Sequence, residues 1–322
     1  MHFAFTPEQE ALRAEARRWL EERYPPERVA ELADSEAGWD PASWAELAEL
    51  GWLGVSVAED EGGAGLGFLE EAVLHEEAGR ALLHAPLWST SSLAPFLPFD
   101  DQAAIAAGDA SWVIALGPLV PDLDTAARVA VVGGDTVWEL EGAERELLAT
   151  NDETRPLGVV SGGEATRALS ASDVLPSVRT RSLAILALEA VGVGARALEL
   201  GIAYVAEREQ FGRRIGSYQA VAHPLASSHA DLELARSLAW WAAWCVAVDD
   251  TEAPVAAAAA KADAADAAVL VCERAIQAHG GIGFTWEHVL HRLYKRALGI
   301  QAWEASSSQL RAEVADHLLD TA

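Results

Sequence analysis

The sequence is poor in cysteine and in basic residues, and each shortage excludes a class of protein. Its two cysteines, Cys245 and Cys272, are too few for a disulfide scaffold and are not spaced like zinc ligands, so we expect them to pack in the core. Lysine and arginine together number 23 against 50 aspartate and glutamate residues, which gives a formal net charge of −27. Nucleic acids and anionic membranes bind cationic surfaces, and we therefore expect neither as a partner.

Long apolar segments are also lacking. The longest uninterrupted apolar run, Leu238–Val248, has 11 residues, whereas a membrane-spanning helix needs about 20. The stretch Met1–Glu8 contains no basic residues leading into an apolar segment, so no signal peptide is predicted. We expect a soluble, cytoplasmic protein, and its 322 residues are enough for two or three domains.

Periodicity divides the chain into three regions, which predict a mainly α-helical protein with a small β domain. Residues 1–110 are helical in pattern, and Thr6–Gln9 is typical of a capping box with a proline at the first helical position. Residues 111–175 contain short β-rich runs and a hairpin signal at Gly133–Asp135, which predict a reduced antiparallel sheet or partial barrel. Residues 176–322 return to helical spacing and predict a bundle of four or five helices.

Two segments of this acidic chain carry a local excess of positive charge. Residues 208–230 hold three arginines against one acid, and residues 274–300 hold four basic residues against one acid. Arginine can pair with phosphate oxygens through two parallel hydrogen bonds, so these segments are candidate sites for an anionic ligand. On charge alone, the alternative is that both are solvated helix ends.

Both segments contain recognisable motifs. Arg208–Gln219 resembles the R-x-Q-F-G-x-x-I-x-x-[FY]-Q signature of the acyl-CoA dehydrogenase family, and Gln277–Thr285 resembles that family's Q-x-x-G-G-x-G-[YF] segment. Upstream, Trp52–Ser56 and Glu61–Leu66 resemble the pattern of its N-terminal helical domain. These matches follow the family's order over about three quarters of the chain. The resemblance implies the family's fold, with an N-terminal helical domain, a β domain that is truncated here, and a C-terminal helical bundle.

The resemblance implies FAD as the cofactor. A dinucleotide pyrophosphate needs a fixed guanidinium and a closely approaching backbone, which paired glycines permit because no Cβ blocks the approach. Part of the site would come from a neighbouring subunit, through Gln277 and Gly281. For the glycines alone, the alternative is a tight turn between two helices. By resemblance, the residues that contact FAD are Arg208, Gln210, Phe211, Gln219, Gln277, Gly280, Gly281 and Ser306.

The family's catalytic base is a glutamate that removes the proton α to a thioester. It lies in a Y-E-G-T segment ten residues after the tyrosine of a Y-R-D-A stretch. Here Tyr294–Ala297 is followed at that spacing by Trp303–Ser306, which makes Glu304 the candidate base. Some family members place the base near the start of the first bundle helix, but that position falls near Ser182, and the closest acid, Glu189, is two turns away.

Apolar surroundings raise the pKa of a carboxyl group toward that of the C–H bond it attacks. We therefore expect Glu304 in an apolar niche, beside a groove bounded by Arg208 and the Gln277 turn. A side chain exposed to water and remote from that groove would contradict the enzymatic interpretation. The structural alternative is that Glu304 is a first-turn residue of the last helix, where the helix dipole favours an acid.

The reaction implied by the resemblance is the α,β-dehydrogenation of an acyl-CoA to a trans-2-enoyl-CoA. Glu304 would take the α-proton while flavin N5 accepts the β-hydride. Hydrogen bonds from the base's own backbone N–H and from a flavin ribityl hydroxyl would stabilise the developing enolate. An electron-transfer flavoprotein would then receive the electrons.

The middle region departs most from the family pattern. Family members carry a T-E-P-x-x-G-S-D type segment and a W-x-[TS] strand that contact the flavin ring, and residues 111–175 contain neither. Ala305 and Ser306 replace the usual Gly-Thr, and Arg214 replaces a frequent proline. Short members of the family form α2β2 heterotetramers with a full-length sister chain, so the resemblance implies such an assembly or a homo-oligomer. A non-catalytic structural subunit that positions FAD in a partner is the main alternative, and flavin-free binding of acyl-CoA is a further one.

Other conspicuous side chains are assigned to packing. His288 and His291 are three residues apart on a helix without a matching pair of acids, and His223 and His229 are interpreted in the same way, so we expect no metal site. The tryptophans of the second long bundle helix are typical of a helix interface, and a subunit contact is the alternative. The acyl group of the substrate cannot be derived from these patterns.

Overall fold

The structure, a computed structural model, describes residues 4–35 and 38–320. Residues 1–3 of the N-terminal stretch analysed above, residues 36–37 and residues 321–322 lie outside the described part. The chain divides into two compact units. The first comprises Met1–Leu12, Val29–Leu74 and His84–Ser182, and the second comprises Arg13–Arg28, His75–Leu83 and Leu183–Ala322.

Side-chain caps start the N-terminal helices as the sequence predicts. Before helix α1 (Pro7–Arg23), the Thr6 N–H donates to Gln9 Oε1 at 3.0 Å and the Gln9 N–H donates to Thr6 Oγ1 at 3.2 Å, which confirms the capping box. The helices that follow are α2 (Pro26–Ala33), α3 (Pro41–Glu49), α4 (Phe68–Ala81), α5 (Leu87–Leu93) and α6 (Phe99–Ala106).

The strands of the first unit form two small sheets. One has the order β1-β3-β4-β7 and the other has the order β2-β6-β5. The predicted hairpin is present, because β3 and β4 pair across the turn at Gly134–Asp135. The strands are β1 (Trp112–Ala115), β2 (Val120–Pro121), β3 (Arg128–Gly133), β4 (Thr136–Glu141), β5 (Glu144–Leu148), β6 (Leu157–Ser161) and β7 (Glu164–Ala171).

The expectation of a purely antiparallel sheet is wrong in one strand pair. Strands β1 and β3 run parallel, with Val113 opposite Val129. The cause is the connection between them: it leaves the first sheet, contributes β2 to the second sheet, and returns to start β3 in the same direction as β1. Leu123 and Ala126 on this connection are buried against Val113 and Val129, so apolar packing fixes the crossover.

Five helices form the C-terminal part, in agreement with the predicted bundle. Helix α7 begins in the first unit and continues into the second, and the other four lie in the second unit. Their interior is lined by small side chains, so that a Cβ on Gly194 would lie 2.8 Å from Leu232 Cδ1. The helices are α7 (Leu175–Glu207), α8 (Gln219–Ala247), α9 (Ala253–His279), α10 (Leu290–Ala302) and α11 (Ser307–Asp320).

Helix α9 is buried along most of its length. Its alanines are the small residues expected to permit close helix approach, and Cys272 is fully buried among them. Burial raises the pKa of the Cys272 thiol, which fits the expected packing role. Among the residues described, none of the helices combines the length and the apolar character that crossing a bilayer demands.

Candidate functional site

The first motif folds into a tight hairpin between α7 and α8. Strands β8 (Glu209–Gln210) and β9 (Arg213–Arg214) pair across a two-residue turn. Its central residues, Phe211 and Gly212, have φ of 53° and 80°, the pattern of a type I′ turn. A bulky side chain rarely adopts positive φ, and the Phe211 side chain is 93% exposed. The hairpin therefore holds a strained aromatic side chain in solvent, which is typical of a binding site.

The backbone of Arg208 is fixed while its side chain is exposed. Its N–H donates to the Tyr204 carbonyl at 2.9 Å, and its carbonyl accepts from the Ile215 N–H at 2.8 Å. The neighbouring Arg213 guanidinium lies 3.8 Å from the centroid of the Tyr218 ring. Arg208 thus has the two properties that the anion-binding hypothesis requires, namely a fixed origin and an accessible guanidinium.

The second motif forms the turn after α9, and its glycines differ in what the fold requires of them. Gly280 ends the helix with a φ of 64°, and a Cβ on Gly283 would lie 2.7 Å from the Ile276 carbonyl oxygen. These two glycines agree with the turn interpretation. Gly281 has no positive φ, and no atom of the described residues lies within 4 Å of the point its Cβ would occupy. Gly281 therefore leaves open space that a ligand can approach.

The hairpin and the Gln277 turn lie at the same end of the bundle. A Cβ on Gly201 would lie 3.3 Å from Ala275 Cβ and 3.4 Å from Leu225 Cδ2, so α7, α8 and α9 meet there. The Tyr204 ring stacks on the His279 ring with centroids 4.2 Å apart. The candidate FAD residues exposed at this end are Arg208, Gln210, Phe211, Gln219, Gln277, Gly280 and Gly281.

Glu304 lies elsewhere. It follows α10, and the end of α10 contacts Lys261 in the first half of α9, since Lys261 Nζ donates to the Gln301 carbonyl at 3.1 Å. Gln277 is 16 residues beyond Lys261 in the same helix, which corresponds to about 24 Å. The expectation that one chain places Glu304 beside the groove bounded by Arg208 and the Gln277 turn is therefore wrong.

The local surroundings of Glu304 also differ from the expected niche. Its side chain is exposed, Ala302 is exposed, and Trp303 and Ala305 are half-buried. Its backbone is left-handed, with φ of 63°, which is unfavourable for a residue with a side chain. Glu304 is therefore exposed and remote from the groove, which is the outcome that contradicts the enzymatic interpretation for a single chain. That interpretation holds only if a second chain covers Glu304.

The alternative reading of Glu304 as a helix-start residue is not met either. Helix α11 begins at Ser307, so Glu304 lies before it. The N-terminal cap of α11 is Ser306. Its N–H donates to Gln309 Oε1 at 2.9 Å, and its Oγ accepts from the Gln309 N–H at 3.3 Å. The S-x-x-Q spacing of Ser306 and Gln309 was a readable signal of this capping box. Ser306, proposed by resemblance as an FAD contact, has this structural role as well.

Neither position considered for an alternative base carries an accessible acid. Ser182 is buried, and its Oγ accepts a hydrogen bond from Trp88 Nε1 at 3.0 Å. Glu189 is also buried, and its Oε1 lies 2.5 Å from the Arg296 guanidinium, which is 1% exposed. A buried carboxylate held by a buried guanidinium is a structural ion pair, because separating the two would leave an uncompensated charge.

The second basic segment, residues 274–300, contains a group of rings around the Gln277 turn. The His279 and His288 rings lie 4.6 Å apart, and His279 Nδ1 lies 2.8 Å from the Ala275 carbonyl oxygen. Burial lowers the pKa of His288, and the nearby His279 and Arg196 lower it further. The surface of this turn also exposes Phe284 and Trp286, with Lys295 Nζ 4.3 Å from the Trp286 ring centroid. The turn thus presents aromatic and cationic groups, with Glu287 as the acid among them.

Sequence reasoning missed two residues of α9 that hold the segment around Glu304. Lys261 is 0% exposed, and Asp266 accepts hydrogen bonds from Gln301 Nε2 and Ser307 Oγ, both at 2.7 Å. Burial raises the pKa of Asp266, but its hydrogen bonds with Ser307 and Gln301 and its pairing with Arg311 outweigh this, and the net shift is downward. A lone lysine inside a run of alanines was the only available signal.

Comparison with known proteins agrees with these motifs. A family model described as acyl-CoA dehydrogenase, C-terminal domain, matches residues 182–319, and one described as acyl-CoA dehydrogenase, N-terminal domain, matches residues 6–97. Acyl-CoA dehydrogenase IpdE2 of Mycolicibacterium smegmatis is 32% identical over 304 residues, which cover 91% of this chain and 93% of that protein. Acyl-CoA dehydrogenase FadE34 of Mycobacterium tuberculosis is 34% identical over 84% of this chain but only 41% of its own length.

Solved structures give the same fold. A variant of the Tcur3481–Tcur3483 steroid ACAD has a TM-score of 0.88 at 27% identity and covers 98% of both chains. A chain of the ChsE4–ChsE5 complex from Mycobacterium tuberculosis has a TM-score of 0.90 at 24% identity and covers 100% of both chains. With two family models that together match most of the sequence and a relative above 30% identity across nearly its whole length, this chain belongs to the acyl-CoA dehydrogenase family.

Proposed function

We propose that this chain is a subunit of an FAD-dependent acyl-CoA dehydrogenase assembled from more than one chain. The observation that carries the proposal is the single end of the bundle where Arg208, Phe211 and the Gln277 turn are exposed together. A hydrophilic protein surface gains nothing from a strained, exposed phenylalanine beside an arginine. A dinucleotide explains both, through its pyrophosphate and its aromatic base.

The residues at this end fit the nucleotide half of FAD. Arg208 would pair with the pyrophosphate, and the open space over Gly281 allows backbone approach. The flavin half is less well provided for, because residues 111–175 lack the family's ring-contacting segments. We infer that a full-length sister chain supplies those contacts. The ChsE4–ChsE5 complex and the Tcur3481–Tcur3483 steroid ACAD are precedents among structural relatives.

The separation of Glu304 from the FAD residues fits a shared arrangement. If both segments act in catalysis, the hairpin and the Gln277 turn of one chain serve one FAD, and Glu304 serves another, about 24 Å away along α9. The apolar cover that Glu304 lacks in the single chain would then come from substrate, cofactor and the sister chain. A carboxylate in such an enclosure is suited to remove a proton α to a thioester.

The chemistry follows from this assignment. FAD, when bound, supplies the acceptor for the β-hydride. Glu304 would take the α-proton, and its own backbone N–H would donate to the thioester carbonyl as negative charge develops there. The left-handed backbone at Glu304 determines the directions of both groups, since side chain and N–H belong to the same residue. The product is an enoyl-CoA, and an electron-transfer flavoprotein is the proposed electron acceptor.

The decisive experiment replaces the proposed base in the assembled enzyme. The chain is co-expressed with a full-length sister dehydrogenase, and acyl-CoA oxidation is measured with an artificial electron acceptor. We expect E304Q to reduce kcat by at least about a hundredfold, because amide nitrogen and oxygen cannot accept the proton. E313Q, which neutralises an exposed glutamate on α11, serves as the matched control and should retain full turnover.

A second function, that of a non-catalytic subunit, is favoured by the exposure of Glu304 in the single chain. In that case the hairpin and the Gln277 turn hold the nucleotide half of a partner's FAD, and the partner supplies the base. The same experiment separates the two functions: an E304Q complex with wild-type kcat and full flavin content would assign this chain the structural role.

A further inference from the structure

The segment that carries Glu304 is held by hydrogen bonds from a buried lysine of α9, Lys261. We define the Glu304 loop as residues 301–307, which comprise the last two residues of α10, the connection 303–306 and the first residue of α11. The Lys261 ammonium donates to the Trp303 carbonyl at 2.8 Å and to the Ala305 carbonyl at 2.5 Å, besides its bond to Gln301. The carbonyls immediately before and after Glu304 therefore converge on one cation.

This arrangement uses the full bonding capacity of the ammonium group. A lysine ammonium has three N–H donors, and three carbonyl oxygens lie within 3.1 Å of it. Charged donors form stronger hydrogen bonds than neutral ones, more so in a buried environment. Gln301 is in the last turn of α10, where the helix dipole favours a positive charge. A buried lysine in the middle of an alanine-rich helix is thereby stabilised.

Burying a lysine is costly, and an apolar residue would suit the interior of α9 better. The positive φ of Glu304 is a second unfavourable feature, at the residue between two of the bonded carbonyls. Such strain persists only where surrounding contacts fix the backbone, and it concentrates at functional positions. The burial of Lys261 and the positive φ of Glu304 are both unfavourable, and both involve the Glu304 loop. Stability alone therefore does not explain why the two occur together.

We propose that Lys261 is a positioning residue for Glu304: it fixes the loop backbone so that the carboxylate and the N–H of Glu304 point at the substrate. This inference rests on the proposed function. Asp266, five residues further along α9, secures the two ends of the same loop through Gln301 and Ser307. Lys261 thus binds the backbone on both sides of Glu304, and Asp266 binds side chains at the two ends of the loop.

The test uses K261M in the assembled complex, because methionine keeps most of the apolar stem and removes the ammonium. We expect kcat to fall at least about tenfold, since a small misplacement of a catalytic group is enough for such a loss. KM for acyl-CoA should stay within about twofold, and the proposed FAD contacts of the Gln277 turn should not change, because that turn lies about 24 Å away along α9.

A second readout is independent of turnover. Hydrogen–deuterium exchange followed by mass spectrometry should show faster exchange in peptides from the Glu304 loop of K261M, with unchanged exchange in peptides from the Gln277 turn. R236M is the matched control: Arg236 is a cation of the same bundle that pairs with Glu76, away from the loop. It should retain kcat and loop protection. D266N is the second variant if K261M does not fold, with the same signature expected in smaller degree.

The outcomes distinguish this inference from the proposed function. If E304Q abolishes turnover but K261M and D266N retain wild-type kcat, Glu304 is the base and Lys261 does not position it. If E304Q retains turnover, the proposed function fails whatever Lys261 does. Loop exchange that is identical in K261M and the wild-type chain overturns the inference independently of activity.

Discussion

Asp124 is a half-buried acid in the first compact unit whose ionised form the fold disfavours. Burial raises its pKa from an ordinary 3.8 to about 6, and repulsion from Asp122 contributes further. Gly38 lies next to this carboxyl group, since a Cβ there would lie 3.1 Å from Asp124 Oδ2. The folded chain therefore pays a free-energy penalty at neutral pH for keeping this side chain charged.

We expect D124N to increase the free energy of unfolding by about 1 kcal/mol at pH 8 and to have little effect at pH 3. Below pH 3.8 the carboxyl group is protonated in both states. Between pH 3.8 and 6 only the unfolded chain releases the proton, so stability falls across this window and the penalty is complete above it. Urea unfolding at both pH values measures the effect. D109N, at an exposed aspartate, is the control, and an equal gain at both pH values would contradict the explanation.

For individual site residues, the sequence predicts which residues are candidates better than it predicts their backbone conformation and exposure. Motif spacing was sufficient to select Arg208 and Glu304 as candidates, because motifs report residue type and order. The positive φ of Glu304 and its exposure depend on where α10 ends and what lies beneath it. Lys261 escaped notice for the same reason, since its burial is created by a loop 40 residues further along the chain.

The turn after α9 contains glycines in two different surroundings. Gly283 packs its Cα against the Ile276 carbonyl, which is backbone and cannot move aside. Gly281 faces open space among the described residues. The fold thus excludes a side chain at Gly283 but leaves room for one at Gly281. Substitution of each glycine by alanine distinguishes the two cases.

We expect G283A to destabilise the chain by about 1–3 kcal/mol, because its Cβ would overlap a carbonyl oxygen. G281A should leave the melting temperature of the isolated chain unchanged but lower the flavin content of the assembled complex severalfold. Differential scanning fluorimetry and visible absorbance give the two quantities. Full flavin content in a folded G281A complex would remove Gly281 from the cofactor site.

Periodicity predicted the helices well and the strands less completely. Apolar spacing alone identifies α7 and α9, since long amphipathic or buried helices repeat the signal many times. Strand β5 was missed because Glu144–Leu148 is charged and exposed, as edge strands often are. The parallel pairing of β1 with β3 depends on a crossover through the second sheet, and no local pattern records it.

The whole molecule presents its two candidate half-sites in one unit without completing either. The hairpin and the Gln277 turn carry the proposed nucleotide contacts, and Glu304 is exposed beside the other half of α9. The middle region lacks the family's flavin-ring segments. Under the proposed function, each half-site provides a part of the chemistry and another chain supplements it.

We expect the isolated chain to retain little flavin and to gain it on co-expression with a full-length sister dehydrogenase. The reason is that the nucleotide contacts alone bury only part of the cofactor, and affinity depends on the combined contacts. Flavin absorbance relative to protein absorbance, measured on the chain alone and on the purified complex, gives the comparison. Stoichiometric FAD on the chain alone would rule out the shared site.

The fixed length between Lys261 and the Gln277 turn has an evolutionary consequence. One continuous helix sets the distance between the two proposed centres, the Glu304 loop and the Gln277 turn, so substitutions along it leave this distance intact whereas insertions do not. A single added residue would advance the far portion by about 1.5 Å and rotate it by about 100°. The Gln277 turn would then lose its position relative to Lys261 and the carbonyls that Lys261 binds. Homologous chains that keep both centres should therefore vary in composition over this stretch but never in residue count.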